Sequence, residues 1–365
     1  MKVDYSYLAQ QFAHPDSILA EIKKLVLNGE FTLGKDLEIF EKKFAQLIGT
    51  KYAIGVGSGT DALRLSLIAL GIKPGDEVIT TTNTFFATIG AIVTTGAKHV
   101  FIDVKDDYNL NPELIEQVIT SKTKVILPVH WHCCPSDMEK IMEIAHKHNL
   151  KVVEDACMAL GADIKGKRTG SWGATGCFSL HPLKPLNVWG DGGIITTDST
   201  ELRDNLLLLR NHGLKNRNEC EFYAFNSRLD PLQAIVGNCM IPQVEWVISQ
   251  KIKNAAMYDK SLAKISNITI PPRNQDVKHV YHNYVIMAQR RDELLSYLVA
   301  QGIDAKIHYP IPQHLQKASE HLGYKPGDLP KSEWQAKHII SIPVHQHLDE
   351  EQIQYVIQKI IQFYT

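Results

Sequence analysis

The sequence has few cysteines, almost no net charge and no long apolar run, and each of these absences excludes a class of protein. Six cysteines in 365 residues, two of them adjacent, are too few for a disulfide-stapled scaffold and favour a reduced compartment. The net charge of -1, from 39 basic and 40 acidic residues, argues against a nucleic-acid-binding protein and against a disordered acidic chain. No apolar run approaches the roughly 18 to 20 residues of a membrane span, and residues 1–12 lack the pattern of a signal peptide. We therefore expect a cytoplasmic protein with no membrane or nucleic-acid partner.

The chain is long enough for two to three domains of about 150 residues each. Over residues 50–200, short β-branched runs alternate with helical patterns, which predicts an α/β domain whose helices cover a mostly parallel, mixed seven-stranded sheet. After residue 240 the pattern changes to a charged helical stretch and shorter elements. We expect a large domain over residues 1–245 and a smaller α+β domain over residues 246–365. The predicted strands are residues 52–56, 77–81, 99–103, 125–129, 152–155, 176–179 and 194–197.

A glycine-rich segment, GVGSGTDAL over residues 55–63, follows a predicted strand and opens a predicted helix. Its glycines allow close approach of a ligand, and the start of a helix presents free N–H groups to a phosphate. Thr60 occupies the place of the third glycine of the dinucleotide-binding pattern, which argues against an NAD(P)-binding module, and the Gly-Lys pair of a P-loop is missing. Alone, the segment predicts either a phosphate site or a tight turn with a capping threonine.

Two side chains near strand ends are candidates for chemistry. Asp155 ends the apolar strand VVED, where a carboxylate is costly to bury without a partner; the alternative is a helix cap. Lys184 lies between two prolines in HPLKPLNVWGDGG, a setting that suits a desolvated amine able to form a Schiff base, although most loop lysines are simply solvated. A phosphate cradle, a carboxylate for a ring nitrogen and a lysine amine are together what pyridoxal 5'-phosphate requires.

Several segments resemble, in the same order, those of the DegT/DnrJ family of sugar nucleotide aminotransferases. The resemblance implies the aspartate aminotransferase-like architecture of fold type I, with pyridoxal 5'-phosphate as cofactor and pyridoxamine 5'-phosphate formed during turnover. It also implies L-glutamate as amino donor, a nucleotide-linked keto sugar as acceptor, and a homodimer with shared active sites that serves a glycan pathway such as lipopolysaccharide or O-antigen synthesis. The matching segments are GEFTLGKDLEIFEKKFAQLIGTKYAIGVGSGTDAL, PGDEVITTTNTFFAT, EDA with GADIKGKRTGSWG, FSLHPLKPLNVWGDGG, RNHGL, FNSRLDPLQA and IHYPIPQH.

The same resemblance implies roles for individual residues. Lys184 stands at the position of the Schiff-base lysine, which also moves the proton. Asp155 stands at the position of the carboxylate that keeps the pyridine nitrogen protonated. The implied cofactor contacts are Gly59, Thr60, Ser179 and, from the second subunit, Asn226 at the phosphate, with Phe85 stacked on the ring and Met158 beside it. The implied sugar nucleotide contacts are His308, Tyr309 and His314.

Two segments depart from the family's usual sequence. Met158 stands where the family commonly has a glutamine, and a thioether cannot donate the same hydrogen bond. The segment HWHCC over residues 130–134 replaces the usual HLYGQ. Four of its side chains, those of His130, His132, Cys133 and Cys134, are of metal-ligating types, but adjacent cysteines seldom reach one ion with good geometry. We therefore expect buried, hydrophobic cysteines and no metal site.

The sequence leaves open which keto sugar is the acceptor and whether the chain is an aminotransferase, a dehydratase or a regulator. Leu186 and the following WGDGG resemble family members that act on 3-keto sugars more than those that act on 4-keto sugars, which implies a 3-keto acceptor. A dehydratase of the same fold typically has histidine in place of the lysine, so Lys184 argues against it. A non-catalytic, cofactor-binding regulator of the same fold stays an alternative because of Met158 and HWHCC.

Overall fold

The computed structural model describes residues 1–365, apart from the side chain of Cys133. The strands, in chain order, are β1 (Tyr52–Val56), β2 (Glu77–Thr81), β3 (Lys98–Ile102), β4 (Thr123–Leu127), β5 (Lys151–Asp155), β6 (Asp163–Ile164), β7 (Lys167–Arg168), β8 (Thr175–Ser179), β9 (Gly193–Thr197), β10 (Ile268–Thr269), β11 (Val277–Lys278), β12 (Tyr284–Ala288) and β13 (Ile339–Ile342). The α-helices are α1 (Leu8–Gln11), α2 (Asp16–Asn28), α3 (Lys35–Ile48), α4 (Gly59–Ala69), α5 (Phe86–Val93), α6 (Ile115–Val118), α7 (Met138–Lys147), α8 (Thr200–Leu209), α9 (Pro231–Met240), α10 (Val244–Leu262), α11 (Arg291–Ala300), α12 (Pro330–His338) and α13 (Glu350–Tyr364).

The central sheet has seven strands in the order β1-β9-β8-β5-β4-β2-β3. β9 runs antiparallel to its neighbours β1 and β8, and the remaining pairs are parallel. The α/β prediction with a mostly parallel, mixed seven-stranded sheet is therefore confirmed. All seven predicted strands are present, and their ends lie within two residues of the predicted ones.

Both faces of the central sheet are buried, which explains why its strands read as apolar runs. Adjacent residues of one strand belong to different cores: Phe178 packs with α3 and α9, whereas Cys177 packs with α4. The rings of Phe178 and Phe44 of α3 are 5.1 Å apart at their centroids. A glycine lets α9 approach this layer, because a Cβ atom on Gly237 would lie 2.5 Å from the ring of Phe40.

A second, α+β region is built on the antiparallel sheet β10-β12-β13. Its core is filled from α10, α11 and α13. α10 joins the two regions, because Val244 and Ile248 pack in the core of the central sheet while Tyr258 and Leu262 pack in the second core. The N-terminus also reaches the second region, where Val3 pairs with the segment 302–304. The division into domains at residues 245 and 246, which falls near the start of α10, stays a prediction.

Glu154 is a fully buried carboxylate near the end of β5. His130 Nδ1 accepts the N–H of Ser136 at 3.0 Å, so the ring proton is on Nε2, which donates to Glu154 at 3.1 Å. The other donors are three backbone N–H groups of the loop before β8, those of Gly170, Trp172 and Gly173, at 2.7, 2.7 and 2.9 Å. Glu154 therefore fixes two loops beside the end of β5, and His130 has a structural partner.

No helix of residues 1–365 is both long and apolar enough to cross a bilayer. Among the described side chains, no group of three or more histidines, cysteines or acids is placed to hold a metal ion.

Replacing Glu154 with glutamine tests the role of this carboxylate. One amide oxygen cannot satisfy four donors, and the new NH2 group faces the same N–H groups, so the free energy of unfolding should fall by about 3 kcal/mol. Urea unfolding followed by circular dichroism measures the change. The exposed Glu143, which pairs with Lys140, provides the matched control; Glu143→Gln should change the free energy by less than about 0.5 kcal/mol. Equal unfolding midpoints for the two variants would contradict the assignment.

Candidate active site

A cavity of about 380 Å³ lies at the C-terminal ends of β5 and β8, between the central sheet and the α+β region. Tyr5 and Tyr7 from the N-terminal segment complete its wall. In sheets of this kind, ligands bind at the carboxyl ends of the strands. Of the residues predicted from the sequence, those that line the cavity are Gly59, Thr60, Phe85, Asp155, Met158, Ser179, Lys184, His308 and Tyr309. Asn226 and His314 are not among the lining residues.

One end of the cavity has the features of a phosphate site. Ser58 caps α4 by accepting the N–H of Asp61 at 3.0 Å, and the N–H groups of Gly59 and Thr60 have no partner within the helix. A Cβ atom on Gly59 would lie 2.8 Å from Cβ of Ser179, so glycine is required for this close approach. Helix N–H groups beside two hydroxyls form a site for an anion.

Asp155 is buried, with 5% of its surface exposed, and both of its carboxylate oxygens have neutral donors. Thr88 donates its hydroxyl to Oδ2 at 2.7 Å, and the N–H of Cys157 donates to Oδ1 at 3.2 Å. Because the Thr88 proton is used for Asp155, Thr84 is the donor in the 2.6 Å contact between the two hydroxyls. A protonated ring nitrogen would give this buried carboxylate the cationic partner that the sequence argument requires.

Cys157 lies between Asp155 and the phosphate end of the cavity. Burial, together with the nearby Asp155 carboxylate, raises the pKa of the Cys157 thiol well above its usual value. The thiol therefore stays neutral and donates weakly to the carbonyl of Cys177, with the sulfur 3.6 Å from the oxygen.

Lys184 lines the cavity from a loop that contacts the N-terminal segment. The backbone N–H of Lys184 donates to the carbonyl of His181 at 2.8 Å. The hydroxyl of Tyr7 is 3.1 Å from the carbonyl oxygen of Leu183 and 3.2 Å from that of Lys184 itself. Farther along the loop, Gln11 donates to Asn187 Oδ1 at 2.7 Å. The position of the lysine therefore depends on residues almost at the start of the chain.

Two histidines of the cavity wall lie close enough to Lys184 to be affected by its charge. Burial lowers the pKa of His308 to about 4, with the positive charge of Lys184 as a second cause. Burial and then Lys184 also lower the pKa of His282 well below its usual value. Both rings are therefore neutral at pH 7 and act as hydrogen-bonding groups; His308 Nδ1 is 2.8 Å from the hydroxyl of Ser341.

Aromatic side chains form another part of the wall. Phe85, at the start of α5, is 48% exposed, and its ring centroid lies 5.8 Å from that of Tyr309. Trp131, the second residue of HWHCC, is buried and also 5.8 Å from Tyr309. The next residue, His132, is buried and points its ring at Tyr108, 5.0 Å away. Within residues 130–132, Trp131 is therefore the side chain that lines the cavity.

The structure places two predicted site residues outside this cavity. His314 is buried in a polar cluster, with Nδ1 2.7 Å from the hydroxyl of Thr82 and Nε2 3.2 Å from Glu333. Asn226 is exposed, a few residues from the exposed Phe222. A role for Asn226 in the site of a second copy, and a role for His314 at the sugar, stay predictions.

The sequence did not reveal several residues that the structure brings to the site. They are Tyr5, Tyr7, Thr88, Lys251, His282, Asn283 and His345. Except for Thr88, which ends the segment PGDEVITTTNTFFAT, they belong to segments without a motif, and each reaches the cavity through contacts between distant parts of the chain. A threonine within the apolar α5 was the one local signal, since Thr88 is fully buried and needs a partner.

An enzyme that uses pyridoxal phosphate needs an anion cradle, a carboxylate and an amine in one pocket, and this cavity supplies all three. The arrangement is that of a pyridoxal phosphate-dependent aminotransferase. The chain belongs to the DegT/DnrJ/EryC1/StrS aminotransferase family, whose model matches residues 14–361. The predictions of family, fold and cofactor are confirmed; the roles of the individual site residues stay predictions.

Comparison with known proteins supports this assignment along the whole chain. The chain is 40% identical over 368 residues to a pleiotropic regulatory protein of Geobacillus stearothermophilus, covering 100% of this chain and 99% of that protein. It is also 40% identical over 339 residues to a UDP-N-acetyl-3-dehydro-alpha-D-glucosamine 3-aminotransferase of Acidithiobacillus ferrooxidans, covering 93% and 91%. The solved structure of S. venezuelae DesV, in complex with a ketimine intermediate, superposes with a TM-score of 0.97 at 37% identity, covering 100% of this chain and 98% of that one.

Replacing Thr88 with valine tests how Asp155 is held. Valine has the shape of threonine but removes the hydroxyl that donates to the carboxylate, so the affinity for pyridoxal phosphate should fall by roughly tenfold or more. Fluorescence titration of the apoenzyme with the cofactor measures the change. Thr94→Val, at the exposed C-terminal end of the same helix, is the matched control and should bind as the wild type does. Wild-type affinity in Thr88→Val would show that the hydroxyl does not support Asp155.

Proposed function

We propose that this protein transfers the amino group of L-glutamate to the keto carbon of a nucleotide-linked sugar, at C3 in preference to C4. The observation that carries the proposal is the convergence of Lys184, Asp155 and the start of α4 on one cavity. The A. ferrooxidans relative, which is named a 3-aminotransferase, supports the C3 position. So does the segment after Lys184, with Leu186 followed by WGDGG.

Each polar residue has a defined task in this proposal. Pyridoxal phosphate, when bound, supplies a ring that accepts the electron pair left when a carbon–hydrogen bond of the donor breaks. Asp155, held by Thr88 and Cys157, stabilises the positive charge on the ring nitrogen. The amine of Lys184 would take the proton from the α-carbon of the donor and deliver it to the carbon that was the aldehyde carbon of the cofactor. Tyr7 keeps the loop of Lys184 in place through its hydroxyl.

The acceptor sugar would lie against the wall formed by His308, Tyr309 and Trp131. These side chains present apolar ring faces and one polar ring edge, which suit a sugar ring with its hydroxyls. We propose that His314 supports this wall indirectly, by fixing the loop after Tyr309 through Thr82 and Glu333. Phe85 would cover the cofactor ring and exclude water.

We further propose a homodimer in which Asn226 of one subunit contacts the cofactor phosphate of the other. The exposed position of Asn226, outside the cavity of its own chain, supports this arrangement. The amino sugar nucleotide would serve the synthesis of a cell-surface polysaccharide such as O-antigen. The cytoplasmic location stays a prediction from the low cysteine count.

A regulator that binds the cofactor without turnover is the second candidate. The name of the G. stearothermophilus relative, a pleiotropic regulatory protein, favours it. A regulator, however, does not require an amine, a carboxylate and an anion cradle in one cavity. The presence of Lys184 with both other groups favours an enzyme.

Replacing Lys184 with alanine tests the chemistry. The wild type loaded with pyridoxal phosphate should show the absorption band of a covalent bond between lysine and cofactor, and L-glutamate should convert that band to the pyridoxamine form. Lys184→Ala should lose the band and convert the cofactor roughly a thousandfold more slowly, because the base is missing. Lys124→Ala, on an exposed position of β4, should behave as the wild type. A wild-type protein that holds the cofactor but never converts it with L-glutamate would point to the regulator.

Complementation between two inactive variants tests the shared site. Asn226→Asp places a negative charge beside the cofactor phosphate and should weaken cofactor binding and activity. A mixed dimer of Lys184→Ala and Asn226→Asp contains one site with both native residues if Asn226 acts across the interface. Coexpression of the two variants should then restore about a quarter of the wild-type activity, as expected for random pairing. If activity stays at the level of the separate variants, Asn226 does not serve the partner's site.

A further inference from the structure

We propose that Gln313 is a positioning residue that holds Phe85 in place over the ring of the cofactor. The proposal rests on the proposed function, in which Phe85 covers that ring. Gln313 is buried, with 3% of its surface exposed, and lies on the segment that follows Tyr309. It is not among the residues that line the cavity, so it acts on the cofactor through another residue.

The side chain of Phe85 is weakly constrained by its own packing. It is half-exposed, and it borders the open cavity. The rings of Phe86 and Tyr309 lie 5.6 and 5.8 Å from it, centroid to centroid, and Phe86 is itself half-exposed. The direction of such a ring depends mainly on the backbone that carries it, because the backbone dihedral angles restrict the rotamers of the side chain.

Gln313 holds the backbone before Phe85 at two points. Its own backbone N–H donates to the carbonyl of Thr82 at 3.1 Å. Its side-chain Nε2 donates to the carbonyl of Thr84 at 3.0 Å, and this contact is buried. The carbonyl of Thr84 belongs to the planar peptide group that joins Thr84 to Phe85. The side chain of Gln313 therefore fixes the orientation of the peptide group from which Phe85 projects.

A second buried glutamine, Gln335 of α12, contacts the same loop at a different point. Its Oε1 accepts a hydrogen bond from Asn83 Nδ2 at 2.8 Å. This contact is one residue farther from Phe85, and it holds a side chain of the loop, whereas Gln313 holds the backbone. The hydrogen bond from Gln313 is therefore the more direct constraint on Phe85.

The rest of α5 is anchored independently of Gln313. Thr88 and Ile89 are buried, and the hydroxyl of Thr88 donates to Asp155 at 2.7 Å. Phe85 lies between the carbonyl of Thr84 and this buried turn of the helix. Loss of the hydrogen bond to that carbonyl would therefore displace Phe85 more than it displaces Asp155.

Replacing Gln313 with methionine tests the proposal, because methionine keeps the length of the side chain and removes the donor to Thr84. The affinity of the apoenzyme for pyridoxal phosphate, measured by fluorescence titration, should fall roughly tenfold. The visible circular dichroism of the bound cofactor, which reports the asymmetric surroundings of its ring, should weaken. Phe85→Ala should change both signals in the same direction. Gln335→Met is the matched control; it should lower the urea midpoint of the apoenzyme but leave both cofactor signals near those of the wild type.

A double-mutant cycle separates a positioning role from a merely structural one. If Gln313 acts through Phe85, Gln313→Met should weaken cofactor binding by less than about twofold when Phe85 is already alanine. An equal loss of affinity in both backgrounds would overturn the proposal, as would wild-type cofactor signals in Gln313→Met or an equal change in Gln335→Met. If Gln313→Met does not fold, Gln313→Asn, whose amide is one methylene too short to reach Thr84, takes its place with the same expected results. The titration requires no turnover, so a wild type that binds the cofactor but never converts it with L-glutamate would contradict the proposed function, while the cycle would still decide the role of Gln313.

Discussion

Two buried carboxylates, side by side at the end of β5, set the arrangement of the active site. Because side chains alternate along a strand, Glu154 and Asp155 point to opposite sides. Glu154 receives three backbone N–H groups and His130 Nε2, and thereby fixes the loops on one side. On the other side, Asp155 accepts hydrogen bonds from the hydroxyl of Thr88 and the backbone N–H of Cys157, and it faces the cavity. The contacts of Glu154 fix the strand end at which Asp155 is buried, and Asp155 is the carboxylate that we propose for the cofactor ring.

The second requirement is a fixed position for Lys184, and the chain meets it through the N-terminal segment. Residues 3–11 pair with the α+β region near residue 303, pass the cavity and contact the lysine loop. The hydroxyl of Tyr5 donates a hydrogen bond to Asn283 of the α+β region. The hydroxyl of Tyr7 donates to the backbone carbonyls of the Lys184 loop. The segment therefore joins the two walls of the cavity. These two tyrosines therefore connect Asn283 of the α+β region with the loop of Lys184, the residue that we propose as the Schiff-base lysine.

The sequence predicted the features that depend on local patterns. The seven strands follow from their apolar runs, and Asp155, Lys184 and Gly59 were identified because strand ends and helix starts are visible locally. Thr88 and Tyr7 were missed, since their partners lie 67 and 176 positions away. His314 shows the limit of motif matching: the motif located the loop, whereas packing against Thr82 and Glu333 decided where the side chain points.

The segment HWHCC is explained in physical terms only once the fold is known. His130 completes the donors of Glu154, and Trp131 forms part of the cavity wall. The carbonyl of His132 accepts from His279 at 2.7 Å, which ties this segment to the α+β region. Three consecutive residues, His130, Trp131 and His132, therefore make three separate contacts. We infer that the segment shapes the acceptor side of the cavity.

The most direct test of the account follows the nitrogen atom itself. The protein loaded with pyridoxal phosphate is incubated with ¹⁵N-labelled L-glutamate and paired 3-keto and 4-keto sugar nucleotides, and the products are identified by mass spectrometry and NMR. One ¹⁵N atom should appear on the sugar, bonded to C3, with 2-oxoglutarate formed in equal amount. Label at C4, or no label on any sugar nucleotide while L-glutamate stays unchanged, would contradict it.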